Sequence, residues 1–381
     1  MASPRPVRAY LDYNATAPIG PRARAAIVAA LELSGNPSSI HAEGREARAA
    51  VENARRVVAA LVGAPPRGVV FTSGGTEAAQ LALAPGRAVR LIASAGEHVC
   101  VLAGHRFAPE AFAIAPLRSD GGIDLDALEA LLAGGGPAML ALQGANNETG
   151  VIQPVAEAAA LVHARGGLMV CDAAQMAGRI VIDASALHAD FLILSAHKFG
   201  GPKGVGALVA ARADLSPTPA LRGGGQERGL RAGTENVPGI AGFGAAATAA
   251  IADVDAEAPR LAALRKALEA RIFEAAPDAV VFGAAAPRLP NTTCFAVPGV
   301  AAATLLMRLD LAGIAASSGS ACSSGKVARS HVLAAMGVDP ELAAGAIRLS
   351  LGWASTQDDV ARFAEGFGPA VAALRKRRGA A

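Results

Sequence analysis

Between residues 41 and 62, apolar side chains such as Ala47, Val51, Ala54 and Val58 recur every three or four positions, which predicts a helix with one buried face. Gly63-Ala-Pro-Pro66 ends that helix, and the period then changes. Seven short apolar runs follow, at 68–72, 90–93, 113–117, 138–142, 167–171, 191–194 and 206–210. Their length and the breakers around them predict strands. Helical stretches separate many of them, notably 124–132 and 154–164. Strands alternating with helices predict an α/β fold with a mostly parallel sheet covered on both faces. In such folds ligands collect at the carboxyl ends of the strands.

The flanking segments differ. Residues 9–18 read as an extended segment, and 21–33 as a helix broken by Gly35-Asn-Pro-Ser-Ser39. Beyond Arg222-Gly-Gly-Gly225 the pattern predicts an Ala/Gly-rich helix and then a charged helix from about 253 to 274. Strands at 292–297 and 345–351, with a helix at 301–311, predict a smaller α+β unit.

Composition narrows the class. Of 381 residues, 52% are hydrophobic and 18% charged, enough apolar material for a large core and too much for a disordered chain. Aromatics are only 4%, so close contacts must rest on small side chains. A net charge of +3 is too slight and dispersed for a nucleic-acid partner. The basic run Arg375-Lys-Arg-Arg378 suits the end of a solvated helix. The first residues lack the apolar stretch of a signal peptide, and the longest uncharged run, 236–252, is short for a membrane span. Cys100, Cys171, Cys294 and Cys322 are far apart without a CxxC pair, which fits a reducing cytoplasm better than disulfides or zinc.

Candidate chemistry gathers at the predicted strand ends. Lys198 follows the 191–194 run in Ser195-Ala-His-Lys198. An amine at the mouth of a buried strand loses hydration, which favours its neutral, nucleophilic form, although a surface lysine opening a loop has the same spacing. Ser73-Gly-Gly-Thr-Glu77 lies between a strand and a helix, where backbone amides bind phosphate; the alternative is an ordinary turn with Thr76 as helix cap. Asp172 ends another strand and is either a helix N-cap or a carboxylate that keeps a pyridine nitrogen protonated. An aspartate at one strand end and a lysine at the next but one would hold the two ends of one cofactor. His98 and Asn146-Asn-Glu-Thr-Gly150 also fall at strand ends. Arg348, inside a strand-like run, either reaches the surface or forks onto a carboxylate. Cys322, in Ser317-Ser-Gly-Ser-Ala-Cys-Ser-Ser-Gly325, lies in a run of small residues that predicts an exposed, mobile loop and a nucleophilic thiol. The other three cysteines lie in apolar stretches and are expected to be inert.

These residues together resemble the pyridoxal-phosphate enzymes of the class V aminotransferase type, and among them the group I cysteine desulfurases that serve iron–sulfur cluster assembly. The resemblance runs through Tyr10-Leu-Asp-Tyr-Asn-Ala-Thr16, Gly35-Asn-Pro-Ser-Ser39, Phe71-Thr-Ser-Gly-Gly-Thr-Glu77, Asn146-Asn-Glu-Thr-Gly150, Ser195-Ala-His-Lys198, Arg231-Ala-Gly-Thr-Glu-Asn236, Ser318-Gly-Ser-Ala-Cys322 and Arg348-Leu-Ser-Leu-Gly352. It implies fold type I of the pyridoxal-phosphate transferases, with a large domain at 16–249 and a small one at 1–15 and 250–381 that carries the Cys322 loop.

The resemblance also implies roles. Lys198 would hold pyridoxal 5'-phosphate and move the substrate proton, and His98 would stack on the ring and assist proton transfer as a further catalytic residue. Asp172 would pair with the ring nitrogen and Gln175 with the phenolic oxygen. Gly75, Thr76, Ser195 and His197 would bind the phosphate, and Thr234 would reach the phosphate of the neighbouring subunit in a homodimer. Asn147 and Arg348 would hold the carboxylate of L-cysteine. Cys322 would take the sulfur as a persulfide for an acceptor or scaffold protein, making the enzyme a sulfurtransferase; it is also a conceivable transient cluster ligand. Two departures from the family pattern are Gly75 in place of the usual alanine and Gln80 in place of a common asparagine.

Overall fold

The computed structural model describes residues 8–212, 214–319 and 329–378. The chain opens with β1 (Ala9–Tyr10), α1 (Pro21–Leu31) and α2 (Ala42–Leu61). There follow β2 (Val69–Thr72), α3 (Gly75–Ala82), β3 (Arg90–Ser94), α4 (Val99–Leu102), β4 (Phe112–Ala115), α5 (Leu125–Leu132) and β5 (Ala138–Gln143). Next are α6 (Val155–His163), β6 (Leu168–Asp172), β7 (Phe191–Ser195) and β8 (Gly206–Ala210). Strands β2 to β8 form one seven-stranded sheet in the order β2-β8-β7-β6-β5-β3-β4. Only β8 runs against its neighbours. All seven predicted runs are therefore strands of a single sheet, with ends within two residues of those expected.

Alternation of side chains along each strand decides which layer it feeds. In β5, Leu140 and Leu142 join a core with α2, α5 and α6, whereas Met139 and Ala141 join one with α3 on the opposite face. Leu192 and Leu194 of β7 follow the first pattern, and Phe191 and Ile193 the second. Apolar residues in succession, rather than alternation, are what a strand covered on both faces requires.

The C-terminal part contains α7 (Val237–Ala275), β9 (Val280–Val281), β10 (Thr292–Ala296), α8 (Ala302–Leu311), β11 (Ile314–Ala315) and β12 (Ser317–Ser318). It ends with α9 (His331–Ala335), α10 (Pro340–Ala344), β13 (Ile347–Ser350) and α11 (Gln357–Arg378). A four-stranded sheet is ordered β12-β13-β10-β9, and β1 pairs in parallel with β11, which brings the N-terminal segment to this side. Phe295, Phe363 and Phe367 are fully buried here and pack ring against ring. That compensates locally for a chain poor in aromatics.

One expectation fails in an instructive way. The two helices predicted after residue 236 are a single helix of 39 residues, with Pro259 inside it. Ile240, Phe243 and Ala247 belong to the core of the large sheet, while Leu261, Leu264, Leu268 and Ile272 belong to the C-terminal core. The charges and the proline between them mark the stretch where the helix passes from one core to the other. Part of α7 is apolar enough, by composition and length, to cross a membrane, and half of that window is buried within the protein.

Candidate active site

The carboxyl ends of β2, β3, β5, β6 and β7 all open on one edge of the sheet, and a cavity of about 500 Å³ lies there. Its walls include Gly75, Thr76, His98, Asn147, Asp172, Gln175, Ser195, His197, Lys198 and Arg348. Ten residues scattered over the sequence thus meet around one space. Two expected site residues are not among them. Thr234 is exposed in the segment before α7, outside this chain's own cavity. Cys322 lies outside the described residues.

The turn from β2 into α3 forms one end. Its N-cap is Gly74, with no side-chain cap, so Thr76 is a first-turn residue and not the cap. Gly206, at the start of β8, faces this turn closely: a Cβ there would come 2.6 Å from the carbonyl carbon of Gly74. Only glycine lets the strand support the turn at that distance. Gly75 is not so constrained, since a Cβ would meet the Ser195 Cβ at 3.6 Å, an ordinary contact. Across from the turn, His197 shares a hydrogen bond between its Nδ1 and Thr16 Oγ1 at 3.2 Å. Burial, then the charges of Lys198, Lys203 and Arg179, hold the His197 pKa down to about 4, so it is a neutral ring at physiological pH.

Asp172 and Lys198 follow adjacent strands, β6 and β7, and not strands separated by another. Asp172 Oδ1 accepts from the Ala174 N–H at 3.0 Å in a turn; no regular helix follows for it to cap. Burial raises its pKa, while that amide, His98 and Lys198 act to keep it ionised. Lys198 Nζ donates to the carbonyls of Asn14, at 2.7 Å, and Ala15, at 3.1 Å. His98 caps α4: its Nδ1 accepts from Cys100 N–H at 3.1 Å, so a neutral ring carries its proton on Nε2. Burial lowers its pKa, in keeping with that neutral form.

Arg348 resolves the choice left open by its position. It is 1% exposed and does not reach the surface. Its guanidinium donates to Asp12 Oδ1 at 2.8 Å and to the Asn147 carbonyl at 3.0 Å, and its Nε has no partner among the described residues. It is thus a buried cation at the wall of the cavity with bonding capacity left over. Gln175 is buried, with its amide between the Asn14 carbonyl, 3.1 Å from Nε2, and Arg179, 2.7 Å from Oε1.

Several contributors were given no role of their own by the sequence. Asn14, Ala15 and Thr16 line the cavity from the N-terminal segment, and Lys203 with Gly204 closes another side. Glu97, next to His98, is fully buried; Oε1 accepts from the Gln143 N–H at 2.6 Å and Oε2 has no partner among the described residues. Burial and then Asp172 push its pKa upward. Glu148, of the NNETG run, accepts from Ser330 Oγ and is likewise pushed up by burial, to about 7. Cys171 and Cys294 are buried, with thiol pKa values raised by burial, as inert cysteines should be. Cys100 departs from that expectation, being half-buried and part of the cavity wall.

Comparison with known proteins gives a concordant picture. A class V aminotransferase profile matches residues 9–363. The chain is 44% identical to a cysteine desulfurase of Cereibacter sphaeroides over 382 residues, covering 97% of each protein. It is 38% identical to an IscS-like cysteine desulfurase of Mycobacterium tuberculosis over 383 residues, again covering 97% of both. A solved NifS-like protein from Rickettsia africae matches with a TM-score of 0.88 and 34% identity, over 96% of this chain and 99% of that one.

Proposed function

The chain belongs to the class V aminotransferase family, and from that premise we propose that it is a cysteine desulfurase that binds pyridoxal 5'-phosphate and converts L-cysteine to L-alanine. The observation that carries the reading is the donor set around one cavity. An anion cradle lies at one end, formed by the start of α3 with Ser195 and His197, and a carboxylate and an amine lie on adjacent strand ends. That set matches a molecule with a phosphate, a basic ring nitrogen and an aldehyde.

When bound, the cofactor supplies a conjugated ring that takes up the electron pair left on the substrate α-carbon. The rest is the work of side chains. Backbone amides at the start of α3, Thr76, Ser195 and His197 receive the phosphate, and a neutral His197 can donate to it without a proton being taken up first. Asp172 would keep a proton on the ring nitrogen; a carboxylate buried this deeply gains most by pairing with a cation. His98 would cover the ring and Gln175 would donate to its phenolic oxygen. Lys198 Nζ is the amine that would hold the cofactor, and as a base it would take up and return the proton of the substrate α-carbon. Arg348, fixed by Asp12 and the Asn147 carbonyl, orients the substrate carboxylate.

Cys322 Sγ then bonds to the substrate sulfur as the Cβ–S bond of cysteine breaks. The products are L-alanine and an enzyme persulfide, and every atom of cysteine and thiol is accounted for. The persulfide passes to an acceptor or scaffold protein of iron–sulfur cluster assembly in the cytoplasm. The enzyme acts as a homodimer in which Thr234 serves the partner's phosphate; its exposure outside this chain's cavity supports that reading. Residues 16–249 form the cofactor-binding unit, and 1–15 with 250–381 the unit that carries Cys322.

The test pairs a spectrum with an assay. Purified protein should be yellow, with a visible band abolished by borohydride in the wild type and absent from Lys198→Ala. Sulfide release from L-cysteine in the presence of a thiol reductant should be lost in Cys322→Ala. A Cys322→Ala enzyme that turns over cysteine normally would sink the desulfurase reading and leave a transaminase or lyase in its place.

A further inference from the structure

Behind the cavity, in the turn that follows β6, sits a cation that none of the roles above uses. Arg179 is only 4% exposed. No carboxylate lies within ion-pair distance of it among the described residues. Its guanidinium is held instead by neutral oxygens. One nitrogen donates to the Gln175 carbonyl and to Gln175 Oε1, both at 2.7 Å; another donates to the carbonyls of Lys198, at 3.2 Å, and Tyr13, at 3.5 Å. Three segments that build the cavity therefore converge on one side chain: the N-terminal segment, the Asp172–Gln175 turn and the Lys198 turn. Burial, and secondarily Arg348, lower its pKa to about 9, so it is still charged at neutral pH.

The chemistry of guanidinium settles a question about Gln175. An arginine only donates, so the amide end that faces it must be the oxygen. The amide nitrogen then faces the other way, where it donates one hydrogen to Asn14 O at 3.1 Å and has a second to give. Gln175 lines the cavity, so the group it offers there is a donor. A full positive charge on the oxygen side polarises the amide and strengthens that donor. With the opposite amide orientation the residue would present an oxygen and repel an anionic ligand oxygen.

We propose that Arg179 is a positioning residue that fixes Gln175 as a donor toward an anionic oxygen of the bound cofactor and ties the Lys198 turn to the same point. The inference rests on the cofactor reading above and adds a residue to it. It differs from a purely structural role in what it predicts. Acting through Gln175, Arg179 sets how easily the cofactor chromophore gives up its proton.

The experiment uses the holoenzyme and the pH titration of its visible band, with cofactor affinity measured alongside. Arg179→Met should move the midpoint upward by about one pH unit, the scale on which a nearby charge or hydrogen bond shifts a titration. Affinity for pyridoxal phosphate should weaken by about tenfold, the worth of one charge-assisted hydrogen bond. Arg179→Lys, which keeps the charge but not the fork, should hold the midpoint near that of the wild type, and it covers the case in which the Met variant fails to fold. In a Gln175→Ala background, Arg179→Met should move the midpoint much less than it does alone. An unchanged midpoint and affinity in Arg179→Met, or an equal shift with and without Gln175, overturns the proposal while the cofactor reading stands. A midpoint in Arg179→Lys that moves as far as in the Met variant also overturns it. Wild-type protein that takes up no cofactor overturns both.

Discussion

Arg55 and Arg179 are equally buried, at 4% exposure each, yet the protein uses them in opposite ways. Arg55 forks onto Glu227, with bonds of 2.7 and 2.8 Å, and lies 5.0 Å above the ring of Phe71. Burial works against its charge, but Glu227 and Glu52 outweigh that and hold its pKa above the ordinary value. Glu227 and Arg228 adopt left-handed backbone conformations that non-glycine residues avoid, and the fork onto Arg55 helps to hold them there. This pair is therefore mechanical: it pins the segment that leads to Thr234. Arg179 has no such partner among the described residues, its pKa falls, and its field is left to act on Gln175 and the cavity. A buried charge that is neutralised locally stabilises one conformation, whereas one that is not neutralised acts on its surroundings.

The contrast can be broken most directly at Arg55. Arg55→Met leaves the buried Glu227 carboxylate with the Phe71 N–H as its remaining hydrogen-bond donor and no cation to pair with among the described residues. It should cost about 3–5 kcal/mol in chemical denaturation, while the midpoint of the visible band stays in place. Replacing both partners with apolar residues of similar size should recover most of that loss. A large spectral change in Arg55→Met would erase the distinction between the two arginines.

Next in size is Glu148. Its folded pKa of about 7 lies above the ordinary 4.5, so the folded state binds more protons between those values. Its contribution is therefore complete below pH 4.5 and is lost as pH rises through 7. Glu148→Gln should remove that loss and be more stable than the wild type at pH 8 by up to about 2–3 kcal/mol relative to pH 4.5. Equal stability curves for the two proteins would contradict the assignment.

His197 runs the other way. Its folded pKa of about 4 lies below the ordinary 6.5, so stability falls as pH drops from 6.5 to 4. Thermal melts of protein stripped of cofactor should show this slope, and His197→Asn should flatten it. The smallest effect belongs to Gly75→Ala, where the added methyl meets only ordinary contacts. Stability should rise by no more than ~1 kcal/mol, and cofactor affinity should change less than twofold. A tenfold loss would mean that the cradle is tighter than its geometry indicates.

How far the sequence speaks follows the same division between local and tertiary causes. The strands of the large sheet were legible because runs such as Phe191–Ser195 are apolar on both faces and bounded by breakers. Strands β9, β11 and β12, of two residues each, are too short for any period to register. Helix α7 read as two because the charges and Pro259 at its waist look like a break; two cores at its ends hold it together. Lys198, Asp172 and His98 stood out as polar residues within a few positions of the ends of apolar runs. Asn14, Glu97 and Arg179 did not, since nothing in a single sequence says that a charge in a turn will be buried or that an extended N-terminal segment will roof the cavity.

The central claim, that sulfur moves from L-cysteine to Cys322 in a site built on Lys198 and Asp172, is tested most directly by a single turnover. Holoenzyme is mixed with less than one equivalent of L-cysteine, free amino acids are quantified and the protein is analysed by mass spectrometry. The account predicts one alanine per cysteine consumed and a peptide containing Cys322 heavier by one sulfur atom, removable with a thiol reductant. Pyruvate and free sulfide, or alanine formed while the Cys322 peptide keeps its mass, would contradict it.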